Sequence, residues 1–447
     1  MNKSIAKYIY LLAQKARGEG TRKKIEEMNQ TQWLSYSQIK QQQQEKVEKI
    51  LRYAAKNVPF YRERLEGIKG FKDFAKISIL TRKDVRNNLD SLISEEYPRK
   101  KLLEYHSSGS TGEPLTLYFT PDAMGYFHAA QYRGFSWYGL GSVDKCVKLW
   151  GFPLKFIPRL KEELRDFVMN RKRISAFDMS EESMERYYRK CLRFRPAFLY
   201  GYSSALTKFG QYLRENNLDG RSLKLKAIIS TSEILYEHQR KLLEEVFGCK
   251  IVNEYGAAEV GIIAFECPQG GVHITSENVY VEILKNGKPT EKEGETGEVV
   301  VTELHNYALP LIRYKLGDLA GFSSRQCPCG RELPLLQSIQ GRSNDMVVTP
   351  EGKILHSEVF SYINRDLISK GLLIKEFKII QELKDKLNVL VIHSASEAAV
   401  NALRKQIEKH VGQGMEIHIS AVDSIPLEES GKMRYFVSKV KAVQHSN

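Results

Sequence analysis

The chain has 447 residues, of which 42% are hydrophobic and 27% are charged. This composition excludes a disordered chain, and the length is too great for one ordinary hydrophobic core. The N-terminal apolar run is too short for a membrane span and lacks a cleavage site, so we expect neither a transmembrane helix nor a secretory signal. Six cysteines are too few for a disulfide scaffold, and the sequence favours a cytoplasmic protein.

Basic residues exceed acidic ones by 68 to 54, a net charge of +14. Twelve Lys and Arg but five Glu lie within residues 1–60, so half of this excess is near the N-terminus. An apolar stripe recurs there at near-helical spacing, formed by Ile5, Tyr8, Ile9 and Leu12. The stripe could lie on an anionic membrane surface or pack against the body of the protein, and packing is the favoured alternative. The sequence contains no basic–aromatic module of the kind that binds nucleic acid, so we do not expect nucleic-acid binding.

The periodicity predicts a helical, basic lead-in over residues 1–57, then a helix over 80–96 introduced by Thr81. From residue 105 to 340, short β-rich runs alternate with amphipathic stretches, which is typical of an α/β fold. A helix over 238–248 is expected to end at Gly248. Strands are predicted at 114–120, 226–232, 249–256, 279–284 and 297–304.

A second domain of different character is expected after residue 344. Its predicted elements are a helix at 356–369, strands at 376–383 and 386–394, a helix at 397–412 and a strand at 415–422. The sequence therefore predicts an α/β protein with a large domain over 1–344, containing several mixed sheets and helices, and a small mobile α+β domain over 345–447. A short hinge at Asn344 and Asp345 would join them.

Three segments of the large domain carry polar residues suited to a nucleotide. Ser107, Ser108, Gly109, Ser110, Thr111 and Gly112 form a loop whose N–H and hydroxyl groups suit a polyphosphate. In NEYGAAEVG, Tyr255 could stack on a base and Glu259 could hold Mg²⁺. Gly317 and Asp318 would place a carboxylate in a turn, where it could accept bonds from ribose hydroxyls. Each segment taken singly is more often an ordinary loop.

These segments, together with GRSNDMV at 341–347 and Lys432 near the C-terminus, occur in an order that resembles the adenylate-forming superfamily. Within it, NVPFYRERL, ILTRKDVRNN, SSGSTGEP, PLIRYKLGD and GRSNDM look like the phenylacetate–CoA ligases and the related capsular-polysaccharide CapK-type proteins. The resemblance spans about residues 45–440. It implies activation of a carboxylic acid by ATP as an acyl-adenylate, followed by transfer to a thiol, with Mg²⁺ and CoA as cofactors.

The resemblance assigns roles residue by residue. The loop from Ser107 to Gly112 would hold the pyrophosphate half of ATP, Thr111 above all, and Glu259 would be the Mg²⁺-associated carboxylate. Lys432 would bridge the acyl carboxylate and the α-phosphate. The remaining nucleotide contacts would be made by Tyr255 and Gly256 (adenine), Asp318 (ribose) and Arg342 (nucleotide).

Two positions depart from the family pattern. Ala258 stands where a hydroxyl residue commonly contacts the phosphate, and Asn344 stands at a hinge position that is usually Asp or Lys. Ala258 and the basic N-terminus leave open a catalytically degenerate scaffold in an envelope-assembly pathway. CapK-like transfer of the acyl group to an amine or a carrier is a further alternative to a CoA ligase.

A structural zinc site is a separate prediction from the sulfur residues. Cys267 and His273 lie in FECPQGGVHI, and Cys327 and Cys329 lie in QCPCGREL. Three thiols and one imidazole form the ligand set of a closed zinc site, although unliganded reduced cysteines remain the alternative.

The acyl pocket is expected near LYGYSSALTKFG and STSEIL, with Tyr200, Tyr202 and Ser232 as lining residues. Aromatic residues there could favour an aryl or aryl-acetic acid, yet they could equally be core. The partners expected are therefore a small carboxylic acid and an acyl acceptor, and the sequence identifies neither.

Overall fold

Helices form the N-terminal part of the chain: α1 spans Lys3–Ala16, α2 Thr21–Thr31, α3 Tyr36–Asn57 and α4 Pro59–Arg64. The N-terminus of α3 is fixed by a reciprocal cap, in which Ser35 accepts the N–H of Gln38 and the Gln38 side chain accepts the N–H of Ser35. The helical lead-in predicted over 1–57 is therefore three helices.

The computed structural model describes residues 3–107, 115–151, 156–176, 179–342, 346–351, 354–356, 360, 363, 367, 372, 377–392, 396–412, 414–425 and 436–440. Within this part of the chain, no helix is long and apolar enough to cross a membrane.

A helical segment and a hairpin follow α4. Thr81 caps α5 by accepting the N–H of Asp84, so a helix begins where the sequence predicts one. The helix expected over 80–96 is nevertheless broken in two at Asn88. The elements are α5 (Arg82–Asn87), α6 (Leu89–Leu92), and β1 (Leu103–His106) paired antiparallel with β2 (Thr116–Phe119), with 3₁₀ turns at Phe71–Lys76 and Arg99–Lys101.

Five parallel strands form one half of the main sheet, in the spatial order β4-β3-β5-β6-β7. The alternation of strands and helices produces this arrangement, because a parallel pair needs a crossover connection. α11 ends at Gly248, which takes the left-handed conformation with φ 65° as expected. The elements are α7 (Pro121–Ser136), β3 (Cys146–Trp150), α8 (Phe156–Val168), β4 (Arg171–Ser175), α9 (Glu181–Phe194), β5 (Phe198–Tyr202), α10 (Ser203–Glu215), a 3₁₀ turn (Gly220–Leu223), β6 (Ala227–Thr231), α11 (Glu237–Phe247) and β7 (Lys250–Ala257).

The second half of the sheet begins with an antiparallel pair at β7 and contains further antiparallel pairs, which makes the twelve strands one mixed sheet. Its strands are β8 (Gly261–Glu266), β9 (Val272–Ile274), β10 (Val279–Lys285), β11 (Lys288–Pro289), β12 (Gly297–Glu303), β13 (Tyr314–Ser323) and β14 (Leu335–Arg342). Across the sheet they follow the order β11-β10-β12-β13-β14-β9-β8-β7. The predicted strands at 226–232, 249–256, 279–284 and 297–304 are β6, β7, β10 and β12.

The chain divides into two units, one of Met1–Leu316 with Ala320–Ile339, and one of Gly317–Leu319 with Gln340–Asn447. This agrees with the expected α/β class of a large region followed by a smaller one. The hinge residues Asn344 and Asp345 lie outside the described residues, so the boundary predicted there stays a prediction.

The second unit has a four-stranded sheet of order β19-β18-β17-β20 around its own core. The strand pattern expected between 376 and 422 is present, whereas β20 escapes prediction because it is only three residues long. The elements are β15 (Met346–Val348), β16 (Ile354–His356), β17 (Phe377–Leu383), β18 (Lys386–Ile392), α12 (Glu397–Val411), β19 (Glu416–Val422) and β20 (Phe436–Ser438).

The apolar stripe of α1 does not pack against the body of the protein, contrary to the favoured expectation. Tyr8 is 66% exposed, and the other three members of the stripe are also exposed. α1 instead buries Ala6, Tyr10 and Gln14, a narrower face at four-residue spacing. The expectation fails because Ala6, Tyr10 and Gln14, rather than the residues of the apolar stripe, form the contact.

A buried ion pair ties the 75–80 segment to the main sheet. The Arg313 guanidinium donates to both carboxylate oxygens of Glu282 on β10, at 3.0 and 2.9 Å. It also donates to the carbonyls of Ala75, at 2.7 Å, and Ile77, at 2.5 Å. Both charged side chains are almost fully buried. Such a pair is costly to break, because either partner alone would be an uncompensated buried charge.

We expect Glu282→Gln to lower the free energy of unfolding by about 3–5 kcal/mol, the range for breaking a buried pair. Urea unfolding followed by circular dichroism measures this change. The double variant Glu282→Gln/Arg313→Met should lose less stability than the sum of its single variants. Strictly additive losses would show that the two side chains do not interact energetically.

Candidate functional site

The Arg82 side chain joins two of the predicted nucleotide-site residues. Its Nη1 donates to Glu259 Oε1 at 2.9 Å, and its Nη2 donates to Ser107 Oγ at 2.9 Å. Glu259 lies in the turn between β7 and β8 and is 9% exposed. Three segments that are distant in sequence therefore meet at one guanidinium. A carboxylate, a hydroxyl and a cation at one place suit the binding of a metal-bound phosphate.

Ser107 also closes the base of the Ser/Gly/Thr loop. Its N–H donates to the Leu115 carbonyl at 2.9 Å, and its hydroxyl accepts the Leu115 N–H at 3.2 Å. Ser107 and Leu115 are therefore paired at the two ends of the loop that connects β1 to β2. Ser108, Gly109, Ser110, Thr111 and Gly112 lie outside the described residues, so their roles stay predictions.

Tyr255 and Gly256 lie near the C-terminal end of β7, where its pairing with β8 is irregular. A Cβ on Gly256 would stand 2.7 Å from the carbonyl oxygen of Gly261, so no larger residue fits without a shift of the backbone. Tyr314 at the start of β13 donates to Glu259 Oε1 at 3.4 Å. This edge of the sheet thus holds the expected adenine-contacting pair and the expected Mg²⁺ carboxylate close together in the chain.

Asp318 lies within β13, so the prediction of a turn at Gly317 and Asp318 is wrong. Gly317 has a φ of +86°, which breaks the regular strand geometry without ending the strand. Arg342 is the last residue of β14, and its side chain lies outside the described residues. Lys432, Asn344 and Asp345 also lie outside them.

Two members of the site, Arg82 and Tyr314, are missed by sequence reasoning. Arg82 follows the helix cap Thr81, so the local pattern gives it the role of an ordinary surface cation at a helix start. Tyr314 lies in the RYKLGD segment, and the family pattern assigns a role in that segment to Asp318 alone. Both residues lie inside segments that resemble one family, and this position is the signal that could have identified them. Neither residue is close to Glu259 in the sequence.

The proposed acyl region lies at the carboxyl ends of the parallel strands. The chain passes outward from β3 to β4 and then returns to the other side of β3 as β5. Ligands of open α/β sheets bind at such a reversal. Trp150 ends β3 and Tyr202 ends β5, and their rings lie 4.3 Å apart. Ser232, just after β6, is exposed and adopts a φ of 68°, which is uncommon for a residue with a side chain.

Tyr200 belongs to a buried polar group beside this crevice. Its hydroxyl donates to Glu254 Oε1 at 2.7 Å, and Gln131 Nε2 donates to Glu254 Oε2 at 3.1 Å. Burial raises the pKa of Glu254, and burial lowers the pKa of Lys148 to about 7. The Lys148 ammonium lies 4.9 Å from the centre of the Tyr200 ring. The expected aromatic residues are therefore accompanied by a carboxyl group and an amine that the sequence did not indicate.

The four predicted zinc ligands converge on one point. The ligand atoms of Cys267, His273, Cys327 and Cys329 all lie within 4.8 Å of one another. Cys267 Sγ is 3.5 Å from Cys327 Sγ, and Cys329 Sγ is 3.2 Å from His273 Nε2. Tetrahedral zinc with Zn–S bonds near 2.3 Å separates its ligand atoms by about 3.8 Å. The cluster is therefore of the right size for this ion.

The surroundings of the cluster also fit zinc. His273 Nδ1 lies 3.3 Å from the Leu333 carbonyl, an arrangement that leaves Nε2 to face the thiols. Burial lowers the pKa of His273 to about 4, so the ring is neutral. A Cβ on Gly271 would lie 2.7 Å from Cys327 Sγ, which means that the glycine leaves room for the cluster. Burial opposes ionisation of Cys329, yet hydrogen bonds from Arg331 lower its pKa.

Arg331, in the loop that carries Cys329, contacts residues at the ends of α2 and α7. The Arg331 guanidinium lies 4.6 Å from the Trp33 ring centre and 4.4 Å from that of Trp137. Gln32 Oε1 accepts bonds from Arg331 Nε at 2.8 Å and from Trp137 Nε1 at 2.9 Å. The end of α2, the end of α7 and the loop that carries Cys329 are therefore held together.

Comparison with known proteins finds the same architecture and related sequences. Residues 347–439 match the family model described as the CapK C-terminal domain. The chain is 25% identical to the protein CapK of Staphylococcus aureus over 425 residues, which cover 89% of each chain. It is 26% identical to the phenylacetate–coenzyme A ligase of Thermus thermophilus, over 70% of this chain and 73% of that one.

Among solved structures, 2-hydroxyisobutyryl-CoA ligase in the postadenylation state shares the fold with a TM-score of 0.70, at 20% identity and over 89% of both chains. The anthranilate CoA ligase AuaEII matches with a TM-score of 0.52, at 18% identity, over 76% of this chain and 67% of that one. The fold, the related sequences and the ordered motifs agree. These matches support the resemblance of the chain to the adenylate-forming superfamily and, within it, to the phenylacetate–CoA ligases and CapK-like proteins.

Proposed function

We propose that this protein activates a small carboxylic acid with ATP as an acyl-adenylate and transfers the acyl group to the thiol of CoA. The observation that carries the proposal is the Arg82 bridge, which joins the predicted metal carboxylate Glu259 to the first residue of the predicted phosphate loop. We would not expect an arginine that is only a solvated surface charge to donate hydrogen bonds to both of these groups.

The chemistry requires two anions to approach each other. A carboxylate oxygen attacks the α-phosphorus of ATP, and the bond to pyrophosphate breaks. The thiolate then attacks the acyl carbonyl, and AMP leaves. Bound Mg²⁺ would neutralise charge on the phosphate oxygens, and Glu259 is the residue that would hold it. Arg82 would add a cation at this place, and Tyr255 would orient the nucleoside. The family resemblance gives Asp318 the contact with the ribose and gives Lys432 the bridge between the acyl carboxylate and the α-phosphate.

The acceptor distinguishes a second candidate function. The CapK C-terminal match over 347–439 is the reason to retain a CapK-like enzyme as the alternative, with an amine or a carrier as the proposed acceptor. A scaffold without activity is the remaining alternative. Release of AMP in the presence of CoA, an amino sugar or a carrier protein separates the two acceptors, and absence of pyrophosphate exchange would support the scaffold.

Adenylation is tested by carboxylate-dependent ATP–pyrophosphate exchange with a panel of aryl, aryl-acetic, hydroxy, fatty and amino acids. We expect Mg²⁺-dependent exchange with at least one acid. Asp318→Ala should weaken ATP binding by about 1–3 kcal/mol, because buried hydroxyl donors of the ribose lose their acceptor. Calorimetric titration with ATP measures this loss. Unchanged ATP affinity would show that Asp318 does not contact the nucleotide.

The Arg82 bridge is tested separately. Arg82→Gln should lower the exchange rate by about tenfold to a hundredfold, since one preorganised charge is lost. Arg82→Lys should recover only part of the rate, because an ammonium cannot make the forked contact. The thermal shift produced by ATP measures binding independently of turnover. Lys83→Gln, an exposed cation on the same helix, serves as the matched control, and equal behaviour of the two Gln variants would refute the role of Arg82.

We also propose that Cys267, His273, Cys327 and Cys329 hold a structural zinc ion. Elemental analysis of tag-free protein should give about one zinc per chain. Cys329→Ser and Gly271→Ala should both lower the zinc content and the melting temperature, the second because its Cβ would crowd Cys327. Cys249→Ser, outside the cluster, is the control and should keep its zinc. Metal-free protein with undiminished stability would contradict the proposal.

A further inference from the structure

Large apolar side chains are exposed mainly on two helices. Of the twelve such side chains exposed among the described residues, seven lie on α1 and α8. We name these seven the α1–α8 patch: Ile5, Tyr8, Ile9, Leu12, Leu160, Leu164 and Phe167. The two helices contact each other, so the seven side chains belong to one region of the surface. An apolar patch of this kind on a folded protein indicates a binding surface.

The apolar stripe of α1 is held in an outward orientation by the opposite face of the helix. Tyr10 packs edge-on against Tyr132 of α7, with ring centres 5.8 Å apart. Glu19, just after the helix, pairs with Arg17 at 2.9 Å and with His128 of α7 at 3.1 Å. Because these contacts fix the helix through its narrow buried face, the patch is a surface feature and not an unpacked piece of core.

Basic residues accompany the patch. α1 contains Lys3, Lys7 and Lys15 and no acidic residue. On α8, Glu162 and Asp166 point inward to Arg173, at 2.8 and 3.0 Å. Glu163 is then the exposed acid of that helix. The surface around the patch therefore carries an excess of positive charge that is not neutralised by its own acids.

We propose that the α1–α8 patch docks the protein on an anionic phospholipid surface. The apolar side chains would enter the boundary between headgroups and acyl chains, and Lys7 and Lys15 would meet the headgroup phosphates. A second copy of the chain fits this surface less well. A two-fold interface would bring two basic α1 helices together, and like charges would oppose the contact. The inference does not depend on the proposed catalytic function.

Co-sedimentation of the full chain with vesicles tests the inference. Binding is expected to vesicles of phosphatidylcholine with about one third phosphatidylglycerol, and little to pure phosphatidylcholine. Leu164→Ser/Phe167→Ser should lower the partition coefficient at least tenfold. Lys7→Gln and Lys15→Gln should each lower it about fivefold at low salt. Leu383→Ser removes an apolar residue of similar exposure, 59%, far from α1 and α8 in the sequence, and should bind normally.

Two results would overturn the inference. Equal binding to both vesicle types, or equal binding by the wild type and the Leu164→Ser/Phe167→Ser variant, would exclude the patch as a lipid contact. Self-association of the wild type in sedimentation velocity, lost in that variant while no vesicles are bound, would show instead that the patch joins copies of the chain. Thermal unfolding at the wild-type temperature confirms that each variant is folded.

Discussion

The candidate nucleotide site depends on the buried guanidinium of Arg313. Through Glu282 and two main-chain carbonyls, this side chain fixes the 75–80 segment against the main sheet. Its own backbone then sets the register, because Leu80 N donates to the Arg313 carbonyl at 2.9 Å and Lys315 N donates to the Leu80 carbonyl at 2.9 Å. Arg82 follows two residues later. An ion pair in the core thus helps to position the Arg82 guanidinium within reach of Glu259.

The reversal of strand direction between β7 and β8 explains why the functional residues lie where they do. Parallel strands on one side of the reversal present their carboxyl ends, with Tyr202 and the Glu254 group, to one edge. The first antiparallel hairpin places Tyr255 and Glu259 at that same edge. The proposed acyl and nucleotide regions can therefore be adjacent without any long loop, since both are built from consecutive turns of one sheet.

Features of local origin could be predicted from the sequence. Thr81 and Gly248 act within a few residues of themselves, and both the helix start and the helix end are confirmed. The prediction of a turn at Gly317 and Asp318 is wrong because a Gly-Asp pair does not reveal that β13 continues between β12 and β14 in the sheet. Arg82 escapes prediction because its partner Glu259 is distant in sequence. The prediction that the apolar stripe of α1 packs against the body of the protein is wrong, because apolar character alone does not decide which face of a helix is buried.

The packing of Arg331 between two indoles has a consequence for observing this protein. The chain contains three tryptophans, and two of them, Trp33 and Trp137, flank the guanidinium beside the Cys/His cluster. The third, Trp150, lies against Tyr202 at the proposed acyl crevice. Tryptophan emission, excited selectively at the red edge of the absorption band, therefore arises from these two places alone. Replacing Trp150 by Phe would leave a spectrum that reports on the cysteine-rich corner, and replacing the other two would leave one that reports on occupancy of the crevice, with no label attached.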